Sequence, residues 1–582
     1  MSRVRRLYPV ACVLASWLAG CTSVPEARLA TPSPSPAAVL EAELPRMMEE
    51  AGVPGLAIAL LRDGRPVWHG AFGVRNADTG DPVTNQTVFE AASLSKPVFA
   101  YAVLRLAARG ELDLDAPLWT TLPYSRLAHD ERARAITARM ALSHQTGLPN
   151  WGGPPMGDAP LQLESDPGGR WQYSGEGFVF LQQAVEKLTG LELDALVRRE
   201  VFAPLGMTHS SFVWQDAYET ATATGHERLG AAQEKSKPGA ANAAASLHTT
   251  AADFARFVAA VLRGPDREVA ERMLEAQVQV AGQDGADPPP ELRWGLGWGL
   301  QDGAAGRAFW HWGDNGTFRC YVVAFPAGGD GLVYFTNSEN GLSLARALVS
   351  RVLPGDAHAA VSWIDYEAYD APARKLVFAL ERAFLHEGRD AGLALYRRLA
   401  REQPDALAPP VAGRVAQTLA DRDRSDDAIA LLTANVERFP DVAAALHDLG
   451  QALLDAGRLE EALAAYRRVL ELAPDDERAP ARIAWAELGL ASHPPALPED
   501  ALRRLAGSYG PRQVTFEEGR LRYVRRGGSG TPYWLAPLTQ DTFALEGLPS
   551  FRLRFVSGDE GRIVKVEGLY SEGRTDESPR DP

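Results

Sequence analysis

Ser93 and Lys96 stand three positions apart in Phe89-Glu90-Ala91-Ala92-Ser93-Leu94-Ser95-Lys96-Pro97. A serine hydroxyl becomes a strong nucleophile only when a neighbouring base takes its proton. Arginine keeps its proton in any protein, whereas a buried lysine can be tuned to give its own up. This chain is strongly biased toward arginine, with six lysines among its 60 basic residues. A lysine retained one helical turn from a serine is therefore a candidate partner for it, since positions i and i+3 share a helix face. Ser95 is the competing hydroxyl. Adjacency sets it about 100° around the helix from Lys96, which rejects it. Ser-x-x-Lys also arises by chance on solvated helices, so other residues have to support it.

Two further segments offer them. Pro167-Gly168-Gly169-Arg170-Trp171-Gln172-Tyr173-Ser174-Gly175-Glu176-Gly177-Phe178 is a glycine-rich loop running into a helix, and it presents Tyr173. Phe309-Trp310-His311-Trp312-Gly313-Asp314-Asn315-Gly316 precedes a strand and presents His311. Taken singly, such a tyrosine packs and such a histidine belongs to a core.

The elements that must position these residues are legible in outline. Leu56–Leu61 reads as a buried strand, Asp63-Gly64 as a hairpin turn and Pro66–Gly70 as the returning strand. A helix is expected from Ser93 to Ala108, stopped by Gly110. Strands follow at Cys320–Phe325 and Leu332–Thr336, and a helix near Leu342–Val352. Strands at both ends around a helical middle predict one α+β domain, over residues 39–356, whose sheet is built from both ends.

In this order the motifs resemble the serine β-lactamase and penicillin-recognising family, within it the branch of class C β-lactamase-like hydrolases, DD-peptidases and esterases. Leu142-Ser143-His144-Gln145-Thr146-Gly147-Leu148-Pro149, Pro204-Leu205-Gly206-Met207, Thr249-Thr250-Ala251-Ala252-Asp253 and Thr336-Asn337-Ser338 complete the likeness over about residues 40–350. The resemblance implies that Ser93 is acylated at a helix N-terminus and that Lys96 keeps its proton labile. It implies that Tyr173 is the general base, a phenolate sustained by Lys96⁺, and later activates the deacylating water. It also implies an oxyanion hole from the backbone N–H groups of Ser93 and Asp314. No cofactor or metal is implied, and the sequence holds no zinc spacing or phosphate-cradling loop.

The departures bear on substrate. Penicillin-hydrolysing members carry Lys-Thr-Gly where this chain has His311-Trp312-Gly313, so the substrate carboxylate loses a cation and a hydroxyl. Gly175 replaces an asparagine that would bind an acylamide side chain. The expectation is an acyl-enzyme esterase or peptidase/amidase and a poor β-lactamase, with a D-Ala-D-Ala carboxypeptidase or true β-lactamase as the alternative. A second alternative is a catalytically retired domain acting as a binding scaffold. Trp151, Trp171, Trp294, Trp298 and Trp312 are candidates to line an apolar cleft, with Trp294 and Trp298 equally readable as core.

Beyond this domain, residues 365–492 read as helical and alanine-rich. Pro440 and Pro474 lie one tetratricopeptide period apart, with Leu449-Gly450, Gly457, Ala462 and Tyr466 at that family's spacing. Such helix pairs bury their faces only by stacking, and they suggest a protein partner. Residues 500–575 alternate as strands of a small antiparallel sheet or half-barrel, and 576–582 read as disordered.

At the other end, three arginines precede the apolar run Leu7–Leu18 and then Leu18-Ala19-Gly20-Cys21, which looks like a bacterial lipobox. Residues 1–20 read as the signal, Cys21 as the lipidated residue and 21–38 as a tether containing Thr31-Pro32-Ser33-Pro34-Ser35-Pro36. Thr22 after the cysteine leans toward the outer membrane, facing the periplasm. Cys320 would remain the sole free thiol. The net charge of −15 and the lack of a basic run argue against nucleic-acid binding.

Overall fold

The computed structural model describes residues 35–153, 157–282, 287, 289–353, 355, 359–490, 495–526, 530–558 and 561–581. The signal and Cys21 lie outside them. The expected tether ends earlier than its proline pattern suggested. Ser35 caps helix α1 (Pro36–Ala51) by accepting from the Ala38 N–H, and Pro36 sits at the first helical position, where its missing N–H costs nothing.

Strands β1 (Gly55–Arg62) and β2 (Arg65–Gly73) form the expected hairpin. Helices α2 (Ser95–Ala108), α3 (Gly175–Thr189) and α4 (Ala251–Arg263) occupy the middle. Then come β3 (Val278–Gln279), β4 (Leu292–Trp294), β5 (Gly299–Gly303), β6 (Gly306–Asp314), β7 (Arg319–Phe325) and β8 (Asp330–Thr336). The sheet runs β2-β1-β8-β7-β6-β5-β4-β3, antiparallel throughout, so its centre joins the two ends of the domain. Alternation along β1 explains why the whole strand is apolar. Ala57, Ala59 and Leu61 enter the core shared with α2 and α4, whereas Leu56, Ile58 and Leu60 enter a second core under α1 and α5 (Ala345–Val352).

After a short helix α6 (Ala359–Trp363), helical pairs run through α7 (Pro372–Arg382), α8 (Arg389–Glu402), α9 (Pro409–Ala420), α10 (Ser425–Arg438), α11 (Ala443–Asp455), α12 (Leu459–Leu472) and α13 (Ala479–Leu490). Gly450 permits a tight crossing, since a Cβ there would stand 2.8 Å from the Tyr466 ring. The array is fixed to the first domain by Arg228, whose guanidinium grips the fully buried Glu381 on α7, with Thr418 of α9 bonded to both.

The C-terminal strands form an eight-stranded meander from Gly507–Tyr509 to Thr575–Pro579. The tail expected to be disordered is its last strand. It pairs with Ile563–Tyr570, its Asp576 and Ser578 receive the buried Arg512, and the Asp581 N–H reaches the Ser508 carbonyl at 2.8 Å, curling the last strand back on the first. Polar composition concealed this, because the strand is held by backbone pairing and by one buried arginine. The sheet rests on the repeats through Ser571–Asp455 and through Arg552, which donates to the Trp485 carbonyl and lies 3.8 Å over its ring.

Candidate active site

Ser93 lies in a short 3₁₀ turn, Ala92–Leu94, that feeds α2. In such a turn residues i and i+3 eclipse one another, and Lys96 Nζ donates to Ser93 Oγ at 3.0 Å. Ala92 takes a positive φ of 46°, a strained conformation for a residue with a Cβ, immediately before the serine. Ser95 is fully buried, donating to the Ala92 carbonyl at 2.6 Å and accepting from the Leu247 N–H, so its hydroxyl is engaged away from Lys96.

Lys96 is enclosed, and its second hydrogen bond goes to the Ala244 carbonyl at 2.9 Å. Tyr173 and Phe178 present ring faces at 4.8 and 5.7 Å. Its neighbours carry no acid to compensate the charge, and burial brings Lys96 down to about 7. Tyr173 moves the other way. Burial raises its phenol well above the ordinary tyrosine value, and Ser93 offsets this only in part. The expected phenolate sustained by Lys96⁺ is therefore not what the free protein holds. The two groups sit with the amine over the ring face, and burial moves each toward its neutral form.

Two histidines close the back of the site. His144 is buried in the left-handed conformation that ends a helix, and its Nδ1 accepts from the Ser174 N–H at 3.0 Å. The neutral ring then carries its proton on Nε2, which has no partner. Its centroid lies 4.3 Å from that of Tyr173. His311 donates from Nδ1 to the Trp312 carbonyl at 2.7 Å, leaving Nε2 as an unpartnered acceptor. Burial first, and then the Lys96 charge, bring His311 down to about 3, so it is neutral as anticipated. The Tyr173 hydroxyl is likewise buried, with the Ser93 hydroxyl beside it. Unsatisfied polar atoms are costly in a core, and their concentration around one amine marks a place built for something other than stability.

The strand end of the site is β6. Its pairing with β5 stops at Trp310, so residues 311–314 pair only with β7 and leave their other edge free. Gly313 cannot carry a side chain, since a Cβ there would collide with Cys320 Sγ and the Ala91 carbonyl beside the Ser93 turn. The Asp314 carboxylate is held by the Gly316 N–H at 2.7 Å, by Arg319 at 3.0 Å and by the Tyr366 hydroxyl at 2.6 Å. Gly175 starts α3 directly under Trp151, whose ring would lie 2.7 Å from any Cβ placed there. The family's asparagine position is thus filled by an indole from the preceding loop.

Ser93, Lys96, Tyr173, His311, Trp312, Gly313, Asp314 and Gly175 therefore come from three separate stretches of chain into one locality. Of the candidate cleft tryptophans, Trp171, Trp294 and Trp298 are buried in the cores, and only Trp151 and Trp312 are partly exposed. Residues overlooked in the sequence are His144, Trp363 and Tyr366. His144 lay inside a quoted motif, whereas the other two sit past the last motif and have no local signal. Among the described residues, no three His, Cys, Asp or Glu side chains are grouped to hold a metal ion.

An antiparallel sheet between helical layers, with a lysine-bonded serine at the head of a central helix, defines a serine hydrolase of the β-lactamase fold. Residues 40–353 match the beta-lactamase family model, and the chain belongs to that family. Residues 416–477 match a tetratricopeptide repeat model. The chain is 30% identical to penicillin-binding protein 4 of Amycolatopsis lactamdurans over 52% of its own length and 86% of that protein. It is 34% identical to esterase EstB of Burkholderia gladioli, over 30% of its own length and about half (52%) of the esterase. Among solved structures, D-alanine carboxypeptidase AmpC from Burkholderia cenocepacia aligns with a TM-score of 0.47 and 21% identity, over 55% of this chain and 98% of that one.

Proposed function

We propose that this protein acylates Ser93 and acts as an esterase or peptidase/amidase rather than as an efficient β-lactamase. The observation that carries the reading is the buried, uncompensated Lys96 amine within 3.0 Å of Ser93 Oγ. About half neutral near pH 7, it accepts the Ser93 proton as Oγ attacks the carbonyl carbon. The oxyanion is received by the N–H groups of Ser93 and Asp314. The Trp312 carbonyl points to the His311 ring and not into the β7 ladder. Strand alternation then directs the Asp314 N–H to the same open edge. As the intermediate collapses, the leaving alcohol or amine takes a proton from Tyr173, which regains the one held by the Lys96 ammonium through Ser93 Oγ, the atom both side chains address. Water hydrolyses the acyl-enzyme by the same proton path in reverse.

The substrate preference rests on what replaces the anchors. His311 is neutral, Trp312 offers no hydroxyl, and the Asp314 carboxylate stands next in line, so a substrate carboxylate meets no free cation there. Trp151 over Gly175 fills the slot that would hold an acylamide arm. The similarity to EstB is in keeping with an ester substrate, and that to penicillin-binding protein 4 keeps peptide substrates in view. A panel of p-nitrophenyl esters, a chromogenic cephalosporin and a D-Ala-D-Ala peptide tests this. Ester turnover should dominate, and cephalosporin turnover far above it would overturn the preference. A retired scaffold is disfavoured, because a site without chemistry has no reason to keep a buried ammonium at a cost in stability.

We further propose that the protein is a lipoprotein anchored through Cys21 to the envelope, and that the repeats take a protein partner on the surface not covered by the C-terminal sheet. Cys21→Ala should release the protein from membranes, and retention would refute the anchor.

A further inference from the structure

The stretch that joins the hydrolase to the repeats, residues 359–371, begins after the last residue matched by the family model and packs on the active-site strand. Trp363 of α6 lies 5.9 Å from Trp312, 5.7 Å from Trp310 and 5.5 Å from Trp171, centroid to centroid, and its indole N–H donates to the Ala281 carbonyl. Three residues on, the half-buried Tyr366 donates its hydroxyl to Asp314 Oδ2 at 2.6 Å. The Tyr366 ring also lies 5.0 Å from the Arg319 guanidinium, which itself pairs with the Asp314 carboxylate at 3.0 Å. Trp312 and Asp314 are two apart on β6 and so share one face, opposite to His311 and Gly313. Tyr366 therefore ties the connector to the side chain that follows Gly313.

We infer that Tyr366 is a positioning residue for the hydrolytic reaction, supplied by the connector and acting through Asp314. The inference rests on the reading of Ser93 as acylated nucleophile and of the Asp314 N–H as an oxyanion donor. The carboxylate and that N–H belong to one residue, so a hydrogen bond that orients the carboxylate also orients the peptide. Burial and the Asp314 charge both raise the Tyr366 phenol, which keeps it a donor throughout the working pH range. Three contacts hold the Asp314 carboxylate, and Tyr366 makes the shortest of them. When that donor is lost, the carboxylate is left to Gly316 and Arg319 and shifts toward the developing oxyanion, where its charge opposes the reaction. The site is thus completed by a segment whose far end, six residues on, is the first helix of the repeat array.

The test is a double-mutant cycle with Tyr366→Phe and Asp314→Asn, read as kcat and KM on the best ester and as the second-order rate of fluorophosphonate labelling. Tyr366→Phe removes one oxygen and keeps the ring against Arg319, and its melting temperature should stay within about 2 °C of wild type. We expect kcat and the labelling rate to fall about tenfold together, with KM changed by less than about twofold. In the Asp314→Asn background the same substitution should have less than about a twofold effect, because no charge remains to be steered. A full tenfold loss in both backgrounds, or no loss in either, would overturn the inference. Should Tyr366→Phe fail to fold, Tyr366→Met takes its place in the cycle, since it fills the site without a hydroxyl, and it is judged by the same outcomes. Ser93→Ala keeps this separate from the underlying reading, since labelling that survives in Ser93→Ala would sink the nucleophile assignment itself and not merely the role of Tyr366.

Discussion

Lys96 and Glu381 are both fully buried ionisable side chains, and the molecule treats them oppositely. Glu381, where the helical array meets the hydrolase, is gripped by Arg228 and by the Thr418 hydroxyl, so its charge is matched on the spot. Lys96 has a serine, a backbone carbonyl and two aromatic faces, and no acid. A buried charge without a counter-charge shifts toward its neutral form. At Glu381 the outcome is a fixed joint between domains, and at Lys96 it is a base available near neutral pH. Matched burial builds structure, and unmatched burial builds reactivity.

The contrast breaks most sharply at Lys96. Lys96→Met should lower kcat/KM by about 10³-fold or more, in the upper range for loss of a general base, while raising the melting temperature. The sign follows from linkage. Lys96 has a folded-state value near 7 against an ordinary 10.5, so the folded chain pays for the ammonium in full below about pH 7. That penalty shrinks as pH rises from about 7 toward 10.5, and the thermal advantage of Lys96→Met should shrink with it. A variant that is less stable at pH 6 would contradict this.

Tyr173→Phe comes next, with an expected loss of about 10²-fold in kcat from the proton relay and little change in KM. Stopped-flow acylation and steady-state rates should fall together, and an unaffected rate would remove Tyr173 from the path. On the other side of the comparison, Arg228→Ala leaves Glu381 buried and unpaired and should cost about 3–5 kcal/mol in denaturant unfolding, with kcat of the folded fraction preserved. A loss of kcat without a loss of stability would show that the joint is part of the chemistry. The smallest effect is expected of Gly175→Asn. By itself it should not create cephalosporin turnover, because Trp151 occupies the space, and only when combined with Trp151→Ala should turnover rise.

Much of the hydrolase was legible because its chemistry depends on local spacing. Ser-x-x-Lys fits one turn, Tyr173 precedes a helix start, and Gly313 sits where a strand passes a backbone. The relative proton affinities of Lys96 and Tyr173 were not legible, since they depend on how completely each is enclosed by residues far apart in sequence. Trp151 covering Gly175, and Tyr366 reaching Asp314, are contacts between loops that no periodicity announces. The last strand escaped for a related reason: Thr575–Pro579 is polar, and its order comes from the buried Arg512 and from backbone pairing.

The central claim is that Ser93 is the nucleophile and that neutral Lys96 activates it. It is tested most directly by the rate of fluorophosphonate labelling between pH 5 and pH 9, with the adduct located by peptide mapping. The adduct should fall on Ser93, and the rate should climb through a midpoint of about 7 and then level off. An adduct on any other residue, or a rate that shows no inflection near 7 and keeps climbing toward the tyrosine range, would contradict it.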